Sequence, residues 1–285
     1  MNRRFLVVGS GRAGSARAKA LENMVGFEAV VLPSRSPQFF QDFERFLGDS
    51  TIEGVLICTA NREHYGLAYR ALNAGKHTLV EFPLARTERE GVRLFRAADE
   101  NDVVLHVEFI GLMTGEHLWL SRFEKSIVHS VDVDMRGGFY RWVADDAEEG
   151  FIGTLAIGRL QALHHIWGPL TLLKQRFETL EQGYRLTCEF ISTNQVRIQL
   201  TDHRQPGLGR RRDMTLRDAN GDEVSVGRIQ IEGQLFARDF SHFLGKIAKK
   251  DYRDETLPSR DDILSVMALA DQISRRASVK SEIDD

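Results

Sequence analysis

The stretch that decides the fold is Arg4–Ser36. It opens RFLVVGSGRAGSARAKALEN (Arg4–Asn23) and closes FEAVVLPSRS (Phe27–Ser36). A short Val-rich run ends at Gly9 and passes through Gly9-Ser10-Gly11-Arg12-Ala13-Gly14 into an Ala-rich helical segment, Ser15–Asn23. A second apolar run, Phe27–Leu32, follows. Strand, glycine turn, helix, strand is the layout of a dinucleotide-binding unit. Gly9 allows the tight turn off the strand, Gly11 leaves room for a pyrophosphate, and Gly14 lets helix and sheet approach. The helix start, from Arg12 and Ala13 onward, offers free N–H groups to phosphate.

The end of the second strand says which dinucleotide. An acid there takes a ribose 2′-OH, whereas an arginine accommodates a 2′-phosphate. This strand ends without an acid and continues Ser34-Arg35. A hydroxyl and a planar guanidinium suit a phosphate dianion. The expectation is NADPH, with NADH weaker.

Working outward, strands and helices alternate to about residue 115. After a turn at Thr51, Gly54–Thr59 gives a buried strand, Tyr65–Ala74 a helix, His77–Phe82 a strand stopped by Pro83, and Val103–Phe109 another strand. Thr87 is placed to cap a helix running to about Asn101. This pattern predicts an α/β, doubly wound parallel sheet, with a domain over 1–118. Beyond it, period-two runs at Ser130–Met135, Arg185–Ile191, Gln195–Leu200, Asp213–Arg217 and Glu223–Gly227 predict an antiparallel sheet. Asn220-Gly221 marks a hairpin. With helices over Thr154–Trp167, Gln234–Lys249 and Asp261–Arg276, residues 119–285 read as an α+β substrate domain. The C-terminal helix is free to pack back on the first.

With 285 residues and a net charge of −3, the chain is long enough for two cores and not charged like a nucleic-acid binder. Its two cysteines, Cys58 and Cys188, lie in apolar runs and read as buried thiols in a reducing, cytoplasmic setting. No metal-ligand spacing, leader segment or membrane-length apolar run is visible. The oligomeric state is left open.

Asn73-Ala-Gly-Lys-His77 followed by Glu81-Phe-Pro83, with the loop Thr59–His64, resembles the family of glucose–fructose oxidoreductase, inositol dehydrogenase and rhizopine-catabolism proteins. That resemblance implies cofactor contacts from Thr59, Ala60, His64, Glu81 and Phe82. Family members carry a lysine where this chain has Phe82, and a His and an Asp where Gly158 and Gln161 stand. Without those groups, sugar oxidation loses its general base. The bilin-reducing branch of the family lacks the lysine too. Its likeness runs through Gly11–Arg17, Ser34-Arg35, Asn73–Pro83, Leu105–Glu108, Ile157–Gly168 and Pro206–Arg212, although that branch has tyrosine at position 82.

The branch implies a small-molecule substrate, biliverdin or a related bilin, lying between nicotinamide and antiparallel sheet. Arg159 is the first catalytic candidate, as an anchor for a propionate or an electrostatic group. His106 and Glu81 follow, and His106, His164 and His165 are each possible proton sources. Arg210 and Arg212, beside Arg211, offer cations for propionates, and Trp167 and Phe82 offer flat packing surfaces. Two other readings stay open: an NADP-dependent sugar or polyol dehydrogenase, and a catalytically silent NADP-binding sensor.

Overall fold

The computed structural model of the chain describes residues 2–231, 234–249 and 257–281. In chain order it contains β1 (Arg3–Val8), α1 (Arg12–Glu22), β2 (Phe27–Leu32), α2 (Phe39–Leu47), β3 (Ile52–Ile57), α3 (Asn61–Asn73), β4 (His77–Val80), α4 (Glu88–Glu100) and β5 (Leu105–Val107). Next come α5 (Gly115–Arg122), β6 (Ser130–Gly137), α6 (Arg141–Glu148), α7 (Ile152–Trp167), β7 (Leu170–Leu180), β8 (Gly183–Ser192), β9 (Arg197–Arg204), β10 (Arg211–Arg217) and β11 (Glu223–Val224). The last two helices are α8 (Leu235–Ala248) and α9 (Arg260–Ser281).

The chain folds as two compact units: 1–110 with 232–257, and 111–231 with 258–285. This differs from a single cut at residue 118. The chain returns to the first unit with α8, and the helix that does so is the penultimate one. The final helix, α9, stays in the second unit, packed on α7 and β7.

Among the described residues the first unit holds a five-stranded sheet in the order β2-β1-β3-β4-β5. Each pair is parallel. The carboxyl halves of its central strands, Phe5–Val8 and Val55–Ile57, are apolar and buried because both faces are covered. On one face α1 and α8 bury Phe5, Val7, Leu21, Leu56 and Leu79 against Phe240 and Phe243. Phe5 meets Phe240 edge-on at 5.1 Å between ring centres. Each such phenylalanine contributes about 1.5–3 kcal/mol on burial. The amphipathic period of Leu235–Ala248 was legible, but its destination was not. Thr87 caps α4 as expected, through a reciprocal pair with Glu90.

The second unit holds, among the described residues, a six-stranded sheet in the order β11-β10-β6-β9-β8-β7. It is mixed and not purely antiparallel, because β6 and β9 run parallel in its middle. Its edge strand β7 escapes an alternation test. A bulge between Leu172 and Lys174 breaks the period, and Leu173 lies 56% exposed. The Asn220-Gly221 hairpin is present, with Gly221 at φ +89° and the Asp218 side chain accepting from Asn220 N at 2.9 Å. Its second strand is only Glu223–Val224. Both cysteines are free and buried. Among the described residues no helix is long and apolar enough to cross a membrane, and no acid, His and Cys cluster is placed to hold a metal.

Candidate active site

In the first unit the sheet order reverses between β1 and β3, the switch point outside whose carboxyl ends ligands bind in open α/β folds. The glycine loop leaves β1 there. Gly9 has φ +106°, and a β-carbon on it would lie 2.3 Å from the Cys58 carbonyl oxygen. A β-carbon on Gly14 would lie 1.9 Å from the Gly9 carbonyl. Over Gly11 no protein atom comes within 4 Å. The two outer glycines thus serve the protein's own packing, and the space above the middle one is left for a ligand. Gly11 caps α1 with no side-chain hydrogen bond, and no acid occupies the first turn. The N–H groups at Arg12 and Ala13 are therefore available to an anion.

Two further observations fit a dinucleotide. Thr59 Oγ1, at the end of β3, is buried without a hydrogen-bond partner. Arg35, just past β2, is exposed and Ser34 half-buried. Glycine 11 and glycine 14 separate by experiment. Gly14→Ala is expected to lower the melting temperature by several degrees, since backbone must move to admit the methyl. Gly11→Ala should melt like wild type and bind NADPH at least tenfold more weakly, as read by cofactor fluorescence. Equal melting losses would contradict this division of roles.

His64 does not face this space. Its ring is buried, with Nδ1 2.7 Å from the Pro83 carbonyl and Nε2 3.2 Å from the Thr59 carbonyl. Burial lowers its pKa, so the ring is neutral and carries one N–H, which the shorter contact assigns to Nδ1. His64 braces Ala60 and the loop bearing Thr59 against the turn at Phe82-Pro83, a cis peptide. Phe82 itself is partly exposed.

Behind the carboxyl edge lies a charge network that sequence reading missed. Arg17, placed by its motif in the phosphate loop, is instead 0% exposed. Its Nε donates to Glu81 at 2.7 Å and its Nη1 lies 2.7 Å from Asp239 of α8. Its guanidinium also stacks on Phe236, 4.9 Å from the ring centre. Burial opposes the Arg17 charge, but Glu81 and Asp239 hold its pKa up. Asp239 is likewise penalised by burial, yet His106 and Arg17 bring its carboxyl to about 2. His106 Nε2 lies 3.0 Å from Asp239 Oδ1. Burial pushes this imidazole down to about 4, so it is neutral and donates its single proton to Asp239. The expectation of His106 as a proton source gives way here: the ring is fully buried and its N–H is committed.

The second unit carries the cations. Arg159 projects from α7 with its Nε buried and unpartnered. Burial lowers its pKa, and Arg210 lowers it further against the opposing pull of Glu116. Arg212 is brought to about 10 by burial, then by repulsion from Arg159, Arg210 and Arg204. The basic run 210–212 is divided by strand alternation. Arg211 turns to the opposite sheet face and pairs with Asp213 at 2.5 Å. Arg212 lies on the face of Met214 and Leu216, opposite Met135. Beside Arg159, His165 Nδ1 and His117 Nε2 are 2.9 Å apart, and burial followed by the charges of His165 and Arg159 brings His117 to about 3. His164 is held by Asp262 at 3.0 Å, and Trp167 is 0% exposed in the core. Neither presents a surface to a ligand.

A glycine loop at the switch point of a parallel sheet, an open cradle over Gly11 and an unpaired arginine past β2 define an NAD(P)-binding oxidoreductase domain. Residues 3–109 match the model of the oxidoreductase family with NAD-binding Rossmann fold, and the chain carries a domain of that family. Along its length the chain is 27% identical to biliverdin reductase A of Mus musculus over 284 residues, covering 95% of this chain and 94% of the relative. The fold is shared with the crystal structure of biliverdin reductase in complex with biliverdin and NADP+ from Synechocystis sp. PCC 6803. There the TM-score is 0.77 at 21% identity, over 96% of this chain and 98% of that one. A putative myo-inositol dehydrogenase from Sinorhizobium meliloti 1021 shares it as well, with TM-score 0.75 at 17% identity over 97% and 98%.

Proposed function

We propose that the protein reduces biliverdin, or a similar linear tetrapyrrole, to the bilirubin level with NADPH. The observation that carries this reading is the crowd of guanidiniums at Arg159, Arg210 and Arg212. Burial and then Arg210 lower the pKa of Arg159, burial and then Arg159 and Arg210 lower that of Arg212, and Glu116 is the acid that opposes both. Such a cluster is stabilised by a ligand bringing carboxylates, and a bilin brings two propionates. The length-wide similarity to biliverdin reductase A supports the same reading.

When bound, NADPH supplies hydride for the central methine carbon of the conjugated acceptor. The chain's residues do the rest. The loop Gly9–Gly14 and the start of α1 hold the pyrophosphate, Ser34 and Arg35 hold the 2′-phosphate, and Thr59 offers its hydroxyl to the cofactor. Arg159 orients the bilin with Arg210 and Arg212 by charge-assisted hydrogen bonds to propionate. It is too weak an acid to be the proton source. Phe82 stands where the family resemblance places the lysine of sugar-oxidising members, so this position supplies no general base for a hydroxyl. The unpaired thiols support a reducing, cytoplasmic setting.

The test is optical. With NADPH, purified protein is expected to bleach the long-wavelength biliverdin band and raise the yellow bilirubin band. Arg35→Ala should weaken NADPH about 10–100-fold and leave NADH unchanged, in line with the loss of a charged hydrogen-bond pair. NADPH binding without bilirubin across pH 5 to 9 would leave a silent sensor. NADP+ reduction by polyols would identify a dehydrogenase.

A further inference from the structure

The carboxyl edge of the parallel sheet carries two acids side by side. Val80 of β4 pairs with Val107 of β5, so Glu81 and Glu108 follow in register on neighbouring strands, about 4.8 Å apart along the ladder. Their backbones are pinned there: Glu81 N donates to Ile57 O at 3.0 Å and Glu108 N to Val80 O at 2.9 Å. Arg17 spends its Nε on Glu81 and its Nη1 on Asp239. Among the described residues no cation pairs with Glu108, whose carboxylate oxygen accepts only from the Ile110 backbone N–H. One guanidinium therefore faces three carboxyl groups.

The surrounding groups decide which carboxyl keeps a proton. Burial, then Glu81, then Asp239 push Glu108 up to about 8, against the weaker pull of Arg17. The Cys58 thiol beside them is held well up by burial and stays neutral. His106 is neutral, and Lys246 of α8 acts on that ring. Glu108 keeps partial exposure, whereas Asp239 and His106 have none.

We propose that Glu108 is the proton donor of the reduction, acting from the sheet edge where a dinucleotide fold presents its cofactor. This rests on the bilin reading above. The Glu108 O–H bond breaks as an N–H bond forms on the pyrrole-type nitrogen, while the methine carbon gains its C–H bond from hydride. NADPH provides both electrons and becomes NADP+. The Glu108 carboxylate then regains a proton from water. A neutral carboxyl kept near pH 7 is suited to this step, because an acid works best with a pKa near the operating pH.

Glu108→Gln keeps an acceptor for the Ile110 N–H and removes only the proton. The first arm is infrared titration of the cofactor-free protein. A carboxylic-acid C=O band that titrates near pH 8 is expected in wild type and absent in Glu108→Gln. The second arm is the pH profile of bilirubin formation. Wild-type kcat should fall as pH rises through about 8, since the protonated form is the active one. Glu108→Gln should be about 100-fold slower below that pH, without the limb, and should bind NADPH like wild type. Glu108→Asp should restore the limb. Absence of the infrared band, or a Glu108→Gln profile matching wild type, overturns the proposal. A band with no bilirubin from wild type overturns the bilin reading, and the donor role with it, while the retained proton stands.

Discussion

Replacing Arg17 with alanine is expected to destabilise the protein by about 3–5 kcal/mol, the cost of leaving a buried charge without its partner. The residue is 0% exposed, and so is the Asp239 carboxyl it meets at 2.7 Å. Asp239 stays ionised near neutral pH because His106 and Arg17 oppose the effect of burial. Without the guanidinium, that carboxylate must take up a proton or admit water between α1 and α8. Urea unfolding followed by far-UV circular dichroism measures the loss. The double variant Arg17→Met with Asp239→Asn, which removes both charges, should recover most of it. A loss below about 1 kcal/mol for the single variant would put the pair in the class of solvated surface bridges, against its burial. The position matters beyond stability, because Arg17 also fixes Glu81 at the end of β4.

Arg159→Ala should lower kcat/KM for biliverdin about 100-fold while NADPH affinity stays within twofold of wild type. This is the scale for removing one pre-placed donor from an electrostatic site. Arg159→Lys keeps the charge and loses the planar fork, so it should recover only part of the rate. Steady-state bilirubin formation and fluorescence titration of NADPH read the two quantities separately. A variant that loses cofactor and substrate affinity equally would move Arg159 from substrate orientation to general structure. Its Nε is buried with no hydrogen-bond partner in the protein, which is costly unless a ligand completes it.

The first unit was legible wherever neighbours in sequence are neighbours in space. The glycine loop, the α1 start and the Ser34-Arg35 corner lie within one βαβ stretch, so residue type and spacing sufficed. Thr87 and Glu90 likewise meet three residues apart. The basic run 210–212 was visible but not its division, which needs the pleat of β10 to send Arg211 to one face and Arg212 to the other. His164 and Trp167 carry functional side chains into the interior, where α9 and the core claim them.

Sequence alone therefore determined the alternating α/β unit, the following sheet-rich segment and the dinucleotide loop, because those depend on local period and turn chemistry. Tertiary structure alone decided the electrostatics of the sheet edge. His106 meets Asp239 across 133 residues, and α8 must return to the first unit for that contact to exist. The protonation of Glu108 depends on which of three carboxyls the one guanidinium reaches. Burial strengthens charge interactions that only folding brings within range, so no spacing in the chain encodes that choice by itself.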